Sequence, residues 1–170
     1  MKLKVLNDYT IQFVSLKQGI HHYEFNVDSK FFEEFDNFEF EKSNFNVDLE
    51  FEKKSTMMLL NFNFSGEITV PCDRCLEDLD IKIEGEGSLV VKFGSEPYEG
   101  TDDIVILSEN AYEINVAQYI YEFIEVNIPQ KKAHDEADCN IETLNKLNEF
   151  KIKNNDTIDP RWSGLDKFNN

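Results

Sequence analysis

Two cysteines separated by two residues are the first candidates for chemistry in this sequence. Cys72 and Cys75 lie in the segment Pro-Cys-Asp-Arg-Cys-Leu, at a predicted turn between two strands, where a tight loop can direct both sulfur atoms at one ion. A tetrahedral zinc site needs two more ligands, and the candidates further along the chain are His134 and Cys139. One hypothesis is therefore a zinc site with three cysteine ligands and one histidine ligand.

Two other interpretations of the cysteine pair remain open at this stage. The sequence lacks the second C-x2-C pair that is typical of a compact zinc ribbon, so the alternative to metal binding is a hairpin with unligated thiols. A redox-active pair is disfavoured, because Asp73, Glu77 and Asp78 surround the cysteines and disfavour a thiolate. The flanking segments also have the pattern of antiparallel strands and not of a βαβ unit.

Other residues that could support catalysis do not form a known arrangement. His21 and His22 are adjacent on a predicted strand, which sends their side chains to opposite faces. The acidic residues are spread along strand faces, without a Ser-His or Cys-His pair at a spacing that indicates catalysis. We predict that the protein is not an enzyme.

The element that positions the cysteine pair is a predicted antiparallel sheet. Apolar and polar residues alternate from Tyr9 to Phe93, and the clearest strand has Phe, Val, Leu and Phe at positions 45, 47, 49 and 51. Gly85 and Gly87 fall on the apolar face of a long strand, where glycine often marks a bulge or bend. We predict an α+β fold with a mainly antiparallel, strongly curved or barrel-like sheet and a few covering helices.

Helical patterns are confined to three places before residue 151. A short helix is predicted with Ser29 as its cap, and a longer one is predicted to begin at Asn115, with Gln118 completing a capping box. A third helix is predicted from about Ile141 to Phe150, with the leucines at 144 and 147 facing inward.

The end of the chain differs in composition from the rest. Residues 151–157 are rich in Lys and Asn and have no apolar period, so they are predicted to be a linker. The predicted organisation is a single α+β domain with a Cys-x-x-Cys hairpin over residues 1–150, followed by a linker and short C-terminal helix segment over residues 151–170. The last segment has an Asp-Pro helix start and an aromatic stripe at spacings of three, and it is either a docked terminal helix or a partner-binding site: Asp159, Pro160, Arg161, Trp162, Leu165, Phe168.

The charge of the chain restricts its partners. The protein has 17 Lys and Arg residues against 34 Asp and Glu residues, and its formal net charge is −17. A surface with this excess of carboxylates repels nucleic acid and attracts basic proteins. Local RNA contacts through Lys131, Lys132 and Arg161 are the alternative, although isolated basic residues on an acidic protein are usually solvated.

The sequence also predicts a cytoplasmic protein. The first ten residues contain lysines without a following apolar run, which disfavours a secretory signal. No stretch approaches the roughly 20 apolar residues that a membrane span requires. Three cysteines are an odd number, which favours reduced thiols or metal ligation over a disulfide framework.

Several of these landmarks occur in one order along the chain, and that order resembles a known family. The landmarks are the segment 71–76, the helix before Ile128-Pro129, the later His134 and Cys139, and the terminal segment 159–162. In these features the sequence is similar to the YceD-type large ribosomal RNA subunit accumulation proteins of bacteria. The resemblance implies a cytoplasmic, non-enzymatic factor needed for accumulation of the large-subunit ribosomal RNA, during its processing or its assembly with protein.

Together, the charge and the resemblance predict a ribosome-biogenesis factor. Its expected partner is a basic ribosomal protein or assembly factor, with pre-ribosomal RNA affected indirectly and without a membrane partner. The alternative is a small zinc-binding or thiol-containing structural or regulatory module, with zinc as its cofactor.

Overall fold

The computed structural model describes residues 6–94, 103–135 and 137–150. In these ranges it has seven β-strands, three α-helices and two short 3-10 helices, which confirms the predicted α+β class. The strands are β1 (Thr10–Ile11), β2 (Gly19–Asp28), β3 (Lys42–Lys53), β4 (Met57–Pro71), β5 (Asp78–Phe93), β6 (Ile104–Leu107) and β7 (Ile114–Asn115), and the helices are α1 (Ser29–Glu34), α2 (Ala117–Asn127) and α3 (Ile141–Phe150).

Five of the strands form one open sheet in the order β2-β3-β4-β5-β6. The first four are consecutive antiparallel neighbours, as the alternation predicts, whereas β6 pairs with β5 in parallel. The parallel pair was not predicted, because a strand of four residues carries too little pattern to show its direction. The short strands β1 and β7 form a separate antiparallel pair.

The prediction of a strongly curved or barrel-like sheet is wrong. The sheet has two edges, β2 and β6, and the pairing of β4 with β5 runs without a bulge from Met57 opposite Lys92 to Pro71 opposite Asp78. Gly87 on β5 does not mark a bulge and instead leaves space for a neighbouring helix. A Cβ atom at Gly87 would lie 2.6 Å from the ring of Phe123 on α2, so the missing side chain lets the helix approach the sheet.

The core lies on one face of this sheet. Buried side chains alternate along β3 and β4, and helices α1 and α2 add further apolar residues to the same core. Phenylalanine side chains make up much of this core. Phe31 and Phe32 of α1 are fully buried in the same cluster as Phe45 and Phe62 of the sheet. The opposite face of β2 to β5 is polar.

Two predicted caps are replaced by neighbouring groups. Asp28, and not Ser29, caps α1, because its side chain accepts a hydrogen bond from the backbone N–H of Phe31 at 3.3 Å. The predicted capping box at Asn115 is also wrong. The Asn115 side chain accepts a bond from the N–H of Ala117, but Gln118 donates forward to Glu122.

The third helix has the predicted limits, Ile141–Phe150, but not the predicted burial. Leu144 packs against a small cluster of cysteines, whereas Leu147 is exposed. The predicted linker and C-terminal segment, residues 151–170, lie outside the described residues, so that part of the domain organisation stays a prediction.

Candidate metal centre

The tip of the β4–β5 hairpin holds Cys72 and Cys75 in a tight turn. The backbone N–H of Leu76 donates to the carbonyl of Cys72 at 2.9 Å, and the N–H of Cys72 donates to the carbonyl of Glu77 at 2.8 Å. The N–H of Arg74 lies 3.4 Å from the sulfur of Cys72. Leu76 has a φ of +62°, a left-handed conformation that closes the turn directly after the second cysteine.

The segment that follows α2 carries the other two candidate ligands back to this tip. Asp73 and Lys132 form a reciprocal pair, in which the N–H of Asp73 donates to the Lys132 carbonyl at 2.6 Å and the Lys132 N–H donates to the Asp73 carboxylate at 2.7 Å. The guanidinium of Arg74 donates to the carbonyl of His134. These contacts place His134 and Cys139 against the hairpin.

The four side chains have the separations that a tetrahedral zinc site requires. Their ligand atoms all lie within 4.8 Å of one another. The sulfurs of Cys72 and Cys139 are 4.0 Å apart, and the sulfur of Cys75 is 3.4 Å from Nδ1 of His134. Ideal zinc bond lengths give about 3.8 Å between two sulfurs and about 3.6 Å between sulfur and nitrogen. The donor set and its geometry therefore fit zinc.

The second nitrogen of His134 is oriented by the hairpin. Its Nε2 lies 3.0 Å from the backbone carbonyl of Asp78, which can only accept a hydrogen bond. The proton of a neutral His134 ring therefore belongs on Nε2, and the lone pair of Nδ1 faces the sulfur of Cys75. A carbonyl that fixes the tautomer in this way is typical of histidine ligands to metals.

The protonation of the cluster differs from one thiol to the next. Burial raises the pKa of Cys72, but backbone N–H groups, first those of Cys75 and Arg74, outweigh it and lower the pKa to about 5. Burial, and after it the nearby sulfurs of Cys75 and Cys72, raise the pKa of Cys139 to about 11. The prediction that the acidic neighbours disfavour a thiolate at this pair is therefore wrong for Cys72, because hydrogen bonds from backbone N–H groups dominate its pKa.

The link between the cluster and α3 was not predicted. Asn140 follows Cys139 directly, and its side-chain oxygen accepts bonds from the N–H groups of Glu142 at 2.9 Å and Thr143 at 3.2 Å. Its amide nitrogen donates to the Glu77 carboxylate at 2.6 Å. An Asn between a cysteine and an apolar period is a signal of this cap that the sequence carries.

The remaining candidate residues are distributed as follows. The Lys132 ammonium forms an ion pair with Glu39, while Lys131 is exposed. His21 and His22 alternate on β2, as predicted, and Nε2 of His21 bonds to the carbonyl of Lys17. The predicted partner-binding residues Asp159, Pro160, Arg161 and Trp162 lie outside the described residues.

A second feature is the polar face of the sheet, which we call the acidic face. Its carboxylates project from four neighbouring strands, and Glu24 lies directly opposite Asp48 in the register. The next position on β4 is Asn63, which lies opposite Glu86 on β5. Lysines share this face: Lys82 lies opposite Glu67, Lys42 lies opposite Thr69, and Lys92 lies opposite Met57 at the other end of β5. We define the acidic face by six residues: Glu24, Asp48, Glu50, Glu67, Glu84 and Glu86.

In the described ranges, no helix has the length and apolar character that crossing a bilayer requires.

Comparisons with known proteins place the chain in a family. Searches of curated proteins and of solved structures found no match to this chain. A family model does match, over residues 60–169, and this range includes both halves of the Cys/His cluster. Because the match covers well over half of the chain, the protein belongs to the family described as large ribosomal RNA subunit accumulation protein YceD.

Proposed function

We propose that this protein is a non-enzymatic factor of ribosome biogenesis that acts in the cytoplasm through a basic protein partner. The family name concerns accumulation of the large-subunit ribosomal RNA, and this supports a role in the processing of that RNA or its assembly with protein. The partner that fits best is a basic ribosomal protein or a basic assembly factor, bound on the acidic face.

The observation that carries the proposal is the pairing of like charges on the acidic face. Glu24 and Asp48 are directly opposite each other on adjacent strands, and such pairs destabilise a sheet. The same face places Glu84 and Glu86 on β5, so the repulsion extends across the sheet. A lysine- or arginine-rich partner would neutralise this charge, would be steered towards it, and would be held in a preferred orientation.

A protein partner fits this surface better than RNA does. RNA binding depends on basic side chains that replace the counterions of phosphates, and the acidic face presents carboxylates instead. Of the two adjacent lysines considered for RNA contact, Lys132 is paired with Glu39. We therefore propose that pre-ribosomal RNA is reached through the partner.

The test is an affinity purification of the tagged protein from its own cells, with and without ribonuclease. We expect large-subunit ribosomal proteins and precursor RNA to be enriched, and a basic protein to be retained after ribonuclease treatment. A variant with three lysine substitutions on the acidic face should lose that protein. The substitutions are Glu24→Lys, Asp48→Lys and Glu86→Lys.

A matched control separates the surface from the net charge. The control carries the same charge change at three exposed residues outside the sheet: Glu109→Lys, Glu122→Lys and Glu149→Lys. It should retain the partner. Equal loss in both variants would show that only overall charge matters, and no enrichment of ribosomal components by the wild type would contradict the assembly role.

A second candidate function rests on the Cys/His cluster. A small zinc-binding module with a structural or regulatory role would need these four ligands and no ribosomal partner. This alternative predicts stoichiometric zinc together with no enrichment of ribosomal proteins in the same purification. Zinc and ribosomal enrichment together would instead indicate that the metal supports the fold of the assembly factor.

A further inference from the structure

Strand β2 is one edge of the five-stranded sheet, and among the described residues only β3 pairs with it. It is ten residues long, Gly19–Asp28, whereas the opposite edge strand, β6, has four residues. Natural edge strands are usually short, or are protected by lysine, proline or a bulge. The sequence of β2 contains neither lysine nor proline, and its register with β3 is continuous, so this edge lacks these protections.

Every second residue of β2 has its backbone groups directed away from the sheet. At the β3–β4 hairpin, the N–H of Lys54 donates to the carbonyl of Met57 at 2.9 Å. Because these directions alternate along a strand, the odd-numbered residues of β3 face β2, and the even-numbered residues of β2 face outward. The Tyr9 hydroxyl agrees with this phase, since it donates to the carbonyl of Asn26 at 2.9 Å.

The outward backbone groups before Asn26 are open in the part of the chain that the structure describes. There, the N–H and carbonyl groups of Ile20, His22 and Glu24 form no hydrogen bond on the outer side of β2. The stretch 20–25 is about 20 Å long. An extended segment of another protein can add to such an edge through main-chain hydrogen bonds, and its alternate side chains then give specificity.

The two faces beside this stretch differ in their chemistry. On the acidic face, Glu24 is exposed and lies opposite Asp48, and β2 itself contributes no lysine or arginine. On the core face, the half-buried rings of Tyr23 and Phe25 stack with their centroids 6.5 Å apart. An added strand would therefore meet carboxylates on one face and aromatic rings on the other.

We propose that the basic partner binds by adding an extended segment to the edge of β2 at residues 20–25, and that this segment alternates basic and apolar side chains. Its Lys or Arg side chains lie on the acidic face beside Glu24, where cross-strand neighbours are about 5 Å apart. Its apolar side chains pack beside Tyr23 and Phe25. This binding mode rests on the proposed function, because the partner is the basic protein proposed there.

A second copy of this protein fits the same edge less well. Pairing of two β2 strands would join two acidic faces in one sheet, and each chain has a net charge of −17. The resulting repulsion opposes association of the two copies. A basic segment instead neutralises carboxylates when it makes the same main-chain hydrogen bonds.

The test uses the full chain and a short fluorescent peptide in which Lys and Val alternate, with binding measured by anisotropy. A peptide of the same composition, with its lysines in one block, controls for charge and should bind more weakly. Only every second N–H of a strand faces its neighbour. Methylation of the backbone nitrogens of one residue type, Lys or Val, should therefore abolish binding, and methylation of the other type should preserve it.

A variant of the edge tests the same contact from the side of the protein. His22→Pro removes an outward N–H without removing a bond between β2 and β3, and it should weaken binding of the alternating peptide by about tenfold. His22→Ala keeps the N–H and should bind as the wild type. Hydrogen exchange in the free wild type should be faster at His22 and Glu24 than at Tyr23, and the peptide should slow it.

Four results would overturn the inference. They are equal affinity for the alternating and block peptides, equal effects of the two methylation patterns, slow exchange at His22 and Glu24 in the free protein, and a dimer in sedimentation that His22→Pro dissociates. The peptide experiments need no ribosomal component. Selective peptide binding without ribosomal enrichment in the purification would support the edge site and contradict the proposed function, whereas enrichment without peptide selectivity would contradict the binding mode alone.

Discussion

Removal of zinc is expected to destabilise the protein by an amount that follows from the position of the cluster. The metal would join the β4–β5 hairpin to the segment after α2, and Cys75 and His134 are 59 residues apart. Closing a loop of this length with a cross-link lowers the entropy of the unfolded chain by about 14 cal/mol/K, or about 4 kcal/mol at room temperature. For a chain of this size, that corresponds to a fall in Tm of about 8 to 16 °C.

The assay combines zinc analysis with thermal unfolding. The purified protein should contain one zinc per chain, and a strong chelator should lower the Tm by the stated amount, with recovery when zinc is added back. His134→Ala removes one ligand, so this variant should lose zinc at a lower chelator concentration. His22→Ala, on the exposed face of β2, is the matched control and should behave as the wild type.

Two results would refute this reasoning. One is a protein that binds no zinc at micromolar concentrations while it remains folded with reduced thiols. The other is a chelator effect of equal size in the wild type and in His134→Ala. Either result would mean that the four side chains meet for packing reasons alone.

Three further predictions concern the fold. Gly87→Val should lower the free energy of unfolding by about 1 to 3 kcal/mol in urea denaturation, because it displaces Phe123; Ser88→Val, on the opposite face, should not. Between pH 10 and the Tyr9 pKa of about 12, raised chiefly by burial, the unfolded state ionises first. The free energy of unfolding should therefore fall as the pH rises through this range, and the fall per pH unit should be about 1.4 kcal/mol steeper in the wild type than in Tyr9→Phe. Denaturation curves at each pH measure the two slopes, and equal slopes would refute the assignment. Asp48→Asn should increase stability by about 0.2 to 1 kcal/mol in the same assay at low salt, by removing the repulsion from the opposite strand, and the gain should shrink at high salt.

The long strands and the third helix could be predicted from the sequence because their patterns are local. Alternation from Phe45 to Phe51 identifies which side chains enter the core, and the period from Ile141 to Phe150 gives the limits of α3. The sheet's shape could not be predicted in the same way. Gly87 looks like a bulge in the sequence, but its reason is the approach of a helix that lies 30 residues later in the chain.

The four candidate ligands could be predicted because cysteine and histidine are the residue types that bind zinc, whereas their spacing along the chain did not indicate a compact zinc site. Cys72 and Cys75 are close in sequence, and their pairing needs only a turn. His134 and Cys139 reach them through contacts of high sequence separation, such as the pair formed by Asp73 and the backbone of residue 132. A single sequence does not reveal such contacts, and the low pKa of Cys72 was missed because it depends on backbone N–H directions.

The most direct test of the central claim is the ratio of large- to small-subunit ribosomal RNA in cells. The protein is depleted, and the cells are complemented with the wild type, the acidic-face variant or the matched control variant, at equal expression. We predict that depletion lowers the ratio, that the wild type and the control restore it, and that the acidic-face variant does not. An unchanged ratio on depletion, or full rescue by the acidic-face variant, would contradict the account.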